Sequence, residues 1–451
     1  MDTQTRLRKH GLFNARAPRY TSYPTAPHFG SLVGPGTFAG WISVIPDGAE
    51  ISLYLHIPFC RRLCWFCACR TQGTTSNAPI RAYIDTILQE ITLLRANLPP
   101  GVRLRRLHWG GGTPTLLSPA QMRQIAAALF EMAPLADGAE FSVEIDPNEI
   151  DEPRLSALEA IGMNRASIGV QDFDPLIQKA IGREQGFELT RDVVAMVRQQ
   201  GVASLNADIL YGLPYQNKKR ITDSVNKLIA LRPDRVALYG YAHVPWMSRR
   251  QQLIPADALP EPPERLMLFE TAQELFIKAG YEAIGIDHFA LPQDNLARAA
   301  REGRLRRNFQ GYTDDAAPVL IGLGASAISR FPQGYAQNRS STADYTTAIR
   351  AGTFATVRGH AFSSEDLIRA RIIEALMCDF RISRQELATR FDLPPGRIEL
   401  LLTEAQRQFG STIRLDQQAL SIPTEAKPLT RMVAQVFDAY AKAGGQHSTA
   451  V

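Results

Sequence analysis

Cysteine and tryptophan are scarce in this chain, which has five cysteines and four tryptophans among 451 residues. With so few cysteines, a disulfide-stapled secreted scaffold is excluded. Apolar runs are short, and none approaches the ~18 consecutive residues that a membrane-spanning helix needs. The first residues lack the apolar core of a signal peptide. These absences predict a cytoplasmic protein with no membrane partner.

The bulk composition is that of a large globular protein with a full hydrophobic core. Apolar residues make up 45% of the sequence, which is enough for a full core. A length of 451 residues predicts two or three structural units, or one large barrel with an appendage. The net charge of +5 is spread along the chain, which favours a solvated surface of mixed charge; it would suit an anionic substrate without requiring one.

Four of the five cysteines lie within ten residues, at positions 60, 64, 67 and 69, in the spacing C-x3-C-x2-C-x-C. Thiolates are soft ligands that select iron–sulfur clusters, zinc or copper(I). A [4Fe–4S] cluster usually takes four cysteines, so a site with three leaves one iron open. Zinc stays possible, but zinc modules usually bring a second knuckle, which this sequence lacks. The fifth cysteine, Cys378, lies in an apolar helical pattern and is predicted to pack in the core.

Short apolar strands alternate with amphipathic helices from residue 50 onward, which predicts a parallel sheet with helices outside it. Six or more such units suit a barrel or partial barrel, whose chemistry lies at the carboxyl ends of the strands. The predicted strands are 51–57, 104–109, 140–146, 165–171, 204–210 and 235–241. The predicted helices are 79–96, 118–133, 152–162, 187–200 and 219–231.

Polar or glycine-rich residues follow these strands at corresponding points. Gly110-Gly111-Gly112-Thr113 lets backbone amides approach a ligand closely, and it is not a phosphate-binding Walker motif. Glu144 and Asp146 alternate with apolar residues, so both carboxylates point to one face of their strand. Each residue alone could be a satisfied structural group, but their repetition favours a shared site. The other candidates at strand ends and in the following loops are Gln171, Arg183, Asp208 and the segment 239–245.

The two ends of the chain differ from this repeating part. Residues 1–45 show little periodicity and are predicted to form an extended surface arm. Helical patterns at 363–380, 383–391, 395–409 and 428–443, with a hairpin around 412–422, dominate the C-terminal part. A winged-helix DNA-binding module is the alternative there, but no dense basic stripe supports it. The predicted division is therefore an arm at 1–45, a barrel domain at 46–360 and a helical domain at 361–451.

The cysteine spacing, preceded by Tyr54-Leu-His-Ile-Pro-Phe59, resembles that of the radical S-adenosylmethionine (SAM) enzymes. Cys69 narrows the resemblance to the oxygen-independent coproporphyrinogen III oxidases. The string Pro18-Arg-Tyr-Thr-Ser-Tyr-Pro-Thr25 and the stretch Gly110–Thr115 also match that family. The resemblance implies an α/β fold: a partial parallel (β/α) barrel of the radical SAM type, with an extended N-terminal arm and a mostly helical C-terminal domain.

The resemblance also implies a reaction and its cofactors. A [4Fe–4S] cluster and two SAM molecules would be bound, and reductive cleavage of SAM would give a 5′-deoxyadenosyl radical. That radical would abstract hydrogen from propionate chains of coproporphyrinogen III, which lose CO2 and become vinyl groups of protoporphyrinogen IX. A low-potential donor such as flavodoxin or ferredoxin would supply electrons. The enzyme would act as a monomer, without nucleic acid.

Site residues are carried over by the same resemblance. Cys60, Cys64 and Cys67 would ligate the cluster, while Cys69 and Tyr54 would act near the substrate. The first SAM would be surrounded by Tyr54, Gly111, Glu144, Ala242 and Ile328. The second SAM would be surrounded by Phe66, Gly112, Thr113, Gln171, Arg183 and Asp208.

Two alternatives stay open at this point. Ala68 and Arg70 depart from the family's usual pattern around the last cysteine, and the loop 215–220 is unusually basic. These departures keep a radical SAM paralogue with another tetrapyrrole substrate in view. A haem chaperone without decarboxylase activity is the second alternative, although Cys69 and the segment Gly182–Gln185 favour the oxidase.

Overall fold

The computed structural model describes residues 3–441 and 449–451 as a mixed α/β protein. The strands are β1 (Glu50–Ile57), β2 (Phe59–Cys60), β3 (Gln72–Gly73), β4 (Arg103–Gly111), β5 (Leu135–Ile145), β6 (Arg165–Gln171), β7 (Ser204–Tyr211), β8 (Arg235–Gly240), β9 (Glu282–Ile284), β10 (His288–Ala290), β11 (Arg306–Asn308), β12 (Gly311–Thr313), β13 (Leu320–Leu323), β14 (Ile328–Phe331), β15 (Gly334–Asn338), β16 (Thr356–Ala361), β17 (Arg381–Ser383), β18 (Arg414–Leu415) and β19 (Ala419–Ser421).

Helices cover the outside of the sheet and dominate the C-terminal part. They are α1 (Thr3–Lys9), α2 (Pro35–Ser43), α3 (Ala78–Arg95), α4 (Pro119–Met132), α5 (Glu152–Ala160), α6 (Pro175–Ala180), α7 (Phe187–Gln199), α8 (Lys218–Ala230), α9 (Pro262–Lys278), α10 (Asn295–Arg301), α11 (Thr342–Arg350), α12 (Ser364–Asp379), α13 (Arg384–Phe391), α14 (Pro395–Phe409) and α15 (Thr430–Gln435). None of the helices described is long and apolar enough to cross a membrane.

A twelve-stranded sheet in the order β16-β15-β14-β13-β1-β4-β5-β6-β7-β8-β10-β9 forms the barrel wall. The strands from β13 to β8 run parallel, and the remaining strands extend both edges antiparallel. Because β8 does not pair with β13, the parallel part is an open, partial barrel, as predicted. All six strands predicted from the alternating pattern are present. The sequence did not separate β13, the seventh parallel strand, from its antiparallel neighbours.

Alternation along the strands separates the outer core from a polar interior. Residues such as Leu107, Phe141 and Val143 are fully buried beneath the surrounding helices. Their neighbours Arg106 and Glu140 face inward, where Arg106 Nη1 lies 2.7 Å from Glu140 Oε1. Arg106 also contacts Asp314 at 2.6 Å, so an ionic network fills the barrel near the amino ends of the strands. The opposite ends of the strands are left to carry the site.

The N-terminal arm differs from the extended surface segment predicted for residues 1–45. Helices α1 and α2 lie near its two ends, and only the stretch between them is mostly extended. Tyr20 and Tyr23 are buried rather than exposed. Tyr20 donates to Asp438 at 3.0 Å, and the Tyr23 hydroxyl accepts from the backbone N–H of Ala439 at 3.0 Å. The aromatic rings bury apolar area and their hydroxyls find partners, which holds the arm against the C-terminal part.

The C-terminal part contains the predicted helices α12, α13 and α14, followed by the hairpin β18–β19. The helix predicted at 428–443 is wrong in extent, because α15 covers only Thr430–Gln435. The backbone N–H groups of residues 436–438 bond three residues back, which tightens the chain and ends the helix. Residues 442 and 443 lie outside the described part. Cys378 is buried as predicted. The division at residues 45 and 360 stays a prediction.

Glu90 of α3 is a fully buried carboxyl that joins α3 to the strand–loop region after β13. It accepts hydrogen bonds from Gly324 N at 2.7 Å, Tyr345 Oη at 2.7 Å and Asn338 Nδ2 at 2.9 Å. Burial nevertheless raises the pKa of Glu90 from its usual 4.5 to about 7. The neutral form is therefore favoured by folding, and stability is lost as pH rises from 4.5 through 7.

Replacing Glu90 with glutamine is expected to remove this pH dependence. The difference between the folded and unfolded pKa corresponds to about 3 kcal/mol. Between pH 4 and pH 8 the free energy of unfolding of the wild type should fall by about this amount relative to that of Glu90→Gln. Urea denaturation at several pH values measures it, and parallel curves for the two proteins would contradict the assignment.

Candidate active site

The four-cysteine loop is held directly beyond β1. Strands β2 and β3 pair in parallel, Phe59 with Gln72 and Cys60 with Gly73, which closes the loop at its base. Arg61 donates to the backbone oxygens of Thr74 and Ser76 and fixes the outer end. Cys60, Cys64 and Cys67 are half-buried, whereas Cys69 is exposed. The local sequence therefore folds into a tight loop that directs several thiols to one region.

The thiols differ in their electrostatic surroundings. Burial raises the pKa of Cys60 to about 11, against the lowering effect of a hydrogen bond with Thr113. A hydrogen bond from the Cys69 thiol lowers the pKa of Cys67 and raises that of Cys69 itself. Arg183 Nη1 donates to Cys64 Sγ at 3.5 Å. Neighbouring donors thus favour the thiolate form at Cys67, the form in which cysteine binds metal.

A segment after β8 that sequence reasoning missed covers the cysteine loop. Gln251 Nε2 donates to the backbone oxygen of Phe66 at 2.8 Å, and Ser248 Oγ donates to that of Cys67 at 3.0 Å. Arg250 Nη2 donates to the backbone oxygen of Cys69 at 3.2 Å. We call residues 248–251 the loop clamp. No periodic pattern could have found it, because its partners are backbone oxygens rather than particular side chains.

Gly110 and Gly111 end β4 and Gly112 follows it, and all three pack where no side chain fits. A Cβ on Gly111 would lie 2.5 Å from His56 Nδ1, and Gly111 has a φ of +115°. A Cβ on Gly112 would lie 2.5 Å from the backbone oxygen of Phe59. Gly112 N also donates to the backbone oxygen of Ile57 at 2.7 Å. These close contacts bring the glycine loop against the base of the cysteine loop.

Replacing Gly112 with alanine is expected to lower the free energy of unfolding by ~1–3 kcal/mol and to displace the cysteine loop, because backbone atoms cannot move aside cheaply. Gly396→Ala is the matched control, since its Cβ would meet no atom within 4 Å and it lies in helix α14. Thermal denaturation and bound iron measure the two effects. Equal stability and iron content in both variants would contradict the packing argument.

Glu144 is the centre of a polar group at the barrel mouth. Its Oε2 accepts from Gly111 N at 3.1 Å, and its Oε1 lies 3.3 Å from His108 Nε2. Burial raises the pKa of Glu144, but the hydrogen bonds from His108 and Gly111 N and the charges of His108 and His56 together outweigh burial and lower that pKa. Tyr54 stacks on His108 with ring centroids 5.6 Å apart, and its hydroxyl lies 3.0 Å from His56 Nδ1. An ionised carboxylate beside an aromatic face suits a ligand with an ammonium group.

His56 and His108 are functional candidates that the sequence reasoning overlooked, although period-two alternation contained the signal. Tyr54 and His108 are paired across β1 and β4 and their rings stack, and His108 lines the interior cavity. Ile328 lies close to Tyr54 as well. Its backbone oxygen would be 2.7 Å from a Cβ built on Gly322. Gly322 pairs with Tyr54 across β13 and β1.

Arg183 joins two of the predicted residues on the other side of the opening. Its Nη1 lies 3.5 Å from Asp146 Oδ2, and its Nη2 donates to the backbone oxygen of Gly169 at 2.9 Å. A Cβ on Gly169 would contact both Gln171 Nε2 and Arg183 Nη2. The buried Nε of Arg183 has no hydrogen-bond partner within the described residues. An anionic ligand group would satisfy it.

Asp208 lies deeper in the barrel, in an interior cavity of about 120 Å³ that Glu144 also lines. Burial raises the pKa of Asp208 to about 6, although Asn206 donates to it at 2.8 Å.

Two residues predicted to surround SAM lie at the edge of the polar group at the barrel mouth. Ala242 is half-buried just beyond β8. Phe66 packs its ring in an apolar cluster with Ile177 and its neighbours rather than among the polar residues.

The donor set fits a cluster held by three thiolates. Among residues 3–441 and 449–451, no three His, Cys, Asp or Glu side chains stand close enough together to hold a single metal ion. The thiolates of a four-iron cluster bind different irons and are separated by the cluster itself. Cys60, Cys64 and Cys67 still lie near enough for the charges of the other two to raise the pKa of Cys60. Soft, clustered thiols without hard oxygen ligands are the set that iron–sulfur clusters take.

Comparisons with known proteins identify the family. Residues 54–228 match the model of the radical SAM superfamily. The oxygen-independent coproporphyrinogen III oxidase of Paracoccus denitrificans is 61% identical over 451 residues, covering 100% of both chains. The Escherichia coli enzyme of that name is 37% identical, with 95% of this chain and 94% of the relative covered.

A solved structure gives the same answer at the level of the fold. The Escherichia coli coproporphyrinogen III oxidase, a radical SAM enzyme, superposes with a TM-score of 0.88 at 36% identity. The match covers 94% of this chain and 97% of that chain. The likeness extends well beyond the barrel. This chain therefore belongs to the oxygen-independent coproporphyrinogen III oxidase family of radical SAM enzymes.

Proposed function

We propose that this chain converts two propionate side chains of coproporphyrinogen III to vinyl groups without oxygen, giving protoporphyrinogen IX for porphyrin and haem biosynthesis. The similarity over the full length to relatives with that named activity carries the proposal. A three-thiol loop beside a polar barrel mouth supports it, because such a site suits an iron–sulfur cluster and a charged cosubstrate.

Cys60, Cys64 and Cys67 would hold a [4Fe–4S] cluster. Bound there, the cluster and SAM supply a 5′-deoxyadenosyl radical. The chain's own residues then restrict that reactivity. The loop clamp at 248–251 fixes three backbone oxygens of the cysteine loop, so the thiols keep their positions. A fixed, water-poor geometry confines a reactive species to the intended C–H bond.

Two SAM molecules are part of the proposal. The ionised Glu144 and the stacked ring of Tyr54 would hold an ammonium or ribose of the first, beside Gly111, Ala242 and Ile328. The second would lie towards Arg183, whose unpartnered Nε suits a carboxylate. The residues proposed to surround that second molecule are Phe66, Gly112, Thr113, Gln171, Arg183 and Asp208.

Cys69 and Tyr54 are the residues that we propose to act next to the substrate. The Cys69 side chain is exposed to the opening, and its pKa is raised chiefly by its hydrogen bond with Cys67. Cys69 therefore holds its proton at Sγ, where it can orient or protonate a neighbouring group. The Tyr54 pKa is raised by burial, which keeps its hydroxyl neutral and able to donate.

The remaining partners follow from the chemistry. A low-potential donor such as flavodoxin or ferredoxin would supply electrons, and a reducing cytoplasm would keep the thiols available for the cluster. One chain contributes every proposed site residue, which favours a monomer. The barrel at 46–360 would carry the reaction, with the arm at 1–45 and the region 361–451 covering it.

An anaerobic turnover assay tests the function. The protein is reconstituted with iron and sulfide and given SAM, coproporphyrinogen III and a low-potential reductant. Mass spectrometry is expected to show 5′-deoxyadenosine together with a product lighter by two CO2 and four hydrogens. 5′-Deoxyadenosine with unchanged coproporphyrinogen would refute the substrate. No 5′-deoxyadenosine from cluster-loaded protein would refute the enzyme.

A further inference from the structure

A second cavity, of about 340 Å³, lies between the carboxyl ends of β7 and β8 and the C-terminal part of the chain. One side is apolar and includes Tyr211, Leu266 and Phe269. The other side is cationic and is formed by Arg19, Arg265, Arg307, Arg431 and Lys427. A cavity with an apolar wall and a few convergent charged groups is typical of a binding site for an organic ligand.

Carboxylates of the chain do not balance these five cations. Asp287, Glu270 and Glu425 line the same cavity. Asp287 lies 3.6 Å from Arg307 and 2.7 Å from His288. Glu425 is directed in part to Arg6, at 3.7 Å. The five lining cations therefore exceed the three side-chain carboxylates by two, and by one when the α-carboxylate of Val451, which also lines the cavity, is counted. The cavity still favours an anion.

Two of the arginines are held by backbone oxygens, which orient a guanidinium without neutralising it. Arg265 donates to the backbone oxygens of Tyr241 at 2.8 Å and Gly212 at 3.4 Å. Arg431 donates to the backbone oxygen of Pro18 at 3.1 Å and to others nearby. Burial, and then the nearby charge of Arg19, lower the pKa of Arg431 to about 10. Like charges are thus held together at a cost that a bound anion would offset.

Arg307 gives the most direct indication of a ligand. Its side chain is only 3% exposed, yet its Nε and Nη1 have no hydrogen-bond partner among the residues described. The guanidinium stacks on Tyr312, 4.4 Å from the ring centroid. Tyr312 and Tyr239 line the interior cavity that contains Asp208 and Glu144. Arg307 therefore stands between the cationic cavity and the proposed reaction site.

We propose that the cationic cavity binds propionate carboxylates of the tetrapyrrole, with Arg307 as the anchor. The inference rests on the proposed function, because it assigns a location to part of that substrate. Coproporphyrinogen has four propionates, and the reaction leaves two of them intact. A planar guanidinium binds a carboxylate through two parallel hydrogen bonds, and the apolar wall suits a pyrrole edge. Substrate held here by unreacted propionates would present the others towards Glu144 and the cysteine loop.

Binding of coproporphyrin III, the fluorescent oxidised form of the substrate, tests the assignment on the reconstituted full chain. Arg307→Gln is expected to weaken binding by ~10–100-fold, the effect of losing a charge-assisted hydrogen-bond pair. Arg307→Lys should recover only part of it. Arg407→Gln, on the exposed side of α14, is the matched control and should leave binding unchanged. In turnover, Arg307→Gln should raise KM for coproporphyrinogen more than it lowers kcat.

A second variant keeps the test informative if Arg307→Gln misfolds. Arg19 is exposed and donates to the backbone oxygen of Gly240, so Arg19→Gln should fold and still weaken porphyrin binding several-fold. Wild-type affinity in folded Arg307→Gln, or in Arg19→Gln if Arg307→Gln misfolds, would overturn the inference while leaving the decarboxylase intact. A different outcome would refute the proposed function but support the binding site. In that outcome porphyrin binding depends on Arg307, and the wild-type protein releases no CO2 from coproporphyrinogen III.

Discussion

Cys64→Ser is expected to abolish SAM cleavage and to remove most of the bound iron. A serine hydroxyl is a hard, protonated ligand that replaces a soft thiolate, so one of three attachments of the cluster is lost. Changes in groups that merely surround a metal commonly cost 10–100-fold in metal affinity or activity, and loss of a ligand should exceed ~100-fold. Iron and sulfide content and anaerobic 5′-deoxyadenosine formation measure the effect.

Two other cysteine variants serve as controls for this experiment. Cys69→Ser changes a thiol of the same loop that is not proposed to bind the cluster, so it should retain iron while slowing product formation. Cys378→Ser changes a thiol in the core and should leave the site intact. Full 5′-deoxyadenosine formation by Cys64→Ser would contradict the assignment of Cys64 as a cluster ligand. Loss of iron from Cys69→Ser would show that Cys69 is a fourth ligand.

Asp294→Ala is expected to have the largest effect on stability, lowering the free energy of unfolding by ~3–5 kcal/mol. Asp294 Oδ1 accepts from Arg235 Nε at 2.5 Å and from Leu296 N at 2.7 Å, where it caps α10. Both charged side chains are buried, with 2% and 5% exposure. The substitution would leave Arg235 buried without its carboxylate partner and close to Arg165. Burial, and secondly the charge of Arg165, already lower the pKa of Arg235.

Asp174→Ala is the matched control for this second experiment. Asp174 also caps a helix, α6, and also pairs with an arginine, Arg220 at 3.1 Å. Arg220 is about one-third exposed, so water can replace its partner. Loss of the cap alone should cost ~1 kcal/mol. Urea denaturation compares the variants, and equal losses would show that burial of the ion pair does not dominate.

Local patterns predicted most of the barrel, because strand burial and helix amphipathicity depend on neighbours in sequence. Each of the six predicted strands exists, and the helix predicted at 118–133 is α4, which begins at Pro119 with Ser118 as its N-cap. The same reasoning failed for the arm, where Tyr20 and Tyr23 are fixed by distant residues rather than by periodicity. It also overextended the last helix, whose end depends on bonds that no pattern reports.

The candidate site divides in the same way between sequence and tertiary structure. The cysteine spacing and the motifs after each strand predicted the type of cofactor, since the ligand residues and the length of their loop are properties of a short stretch of sequence. Only the fold decided that Arg183 meets Cys64, that the clamp at 248–251 covers the loop, and that Arg307 faces a cationic cavity. Those contacts join residues more than fifty positions apart, often through backbone oxygens, and such oxygens are the same in every residue.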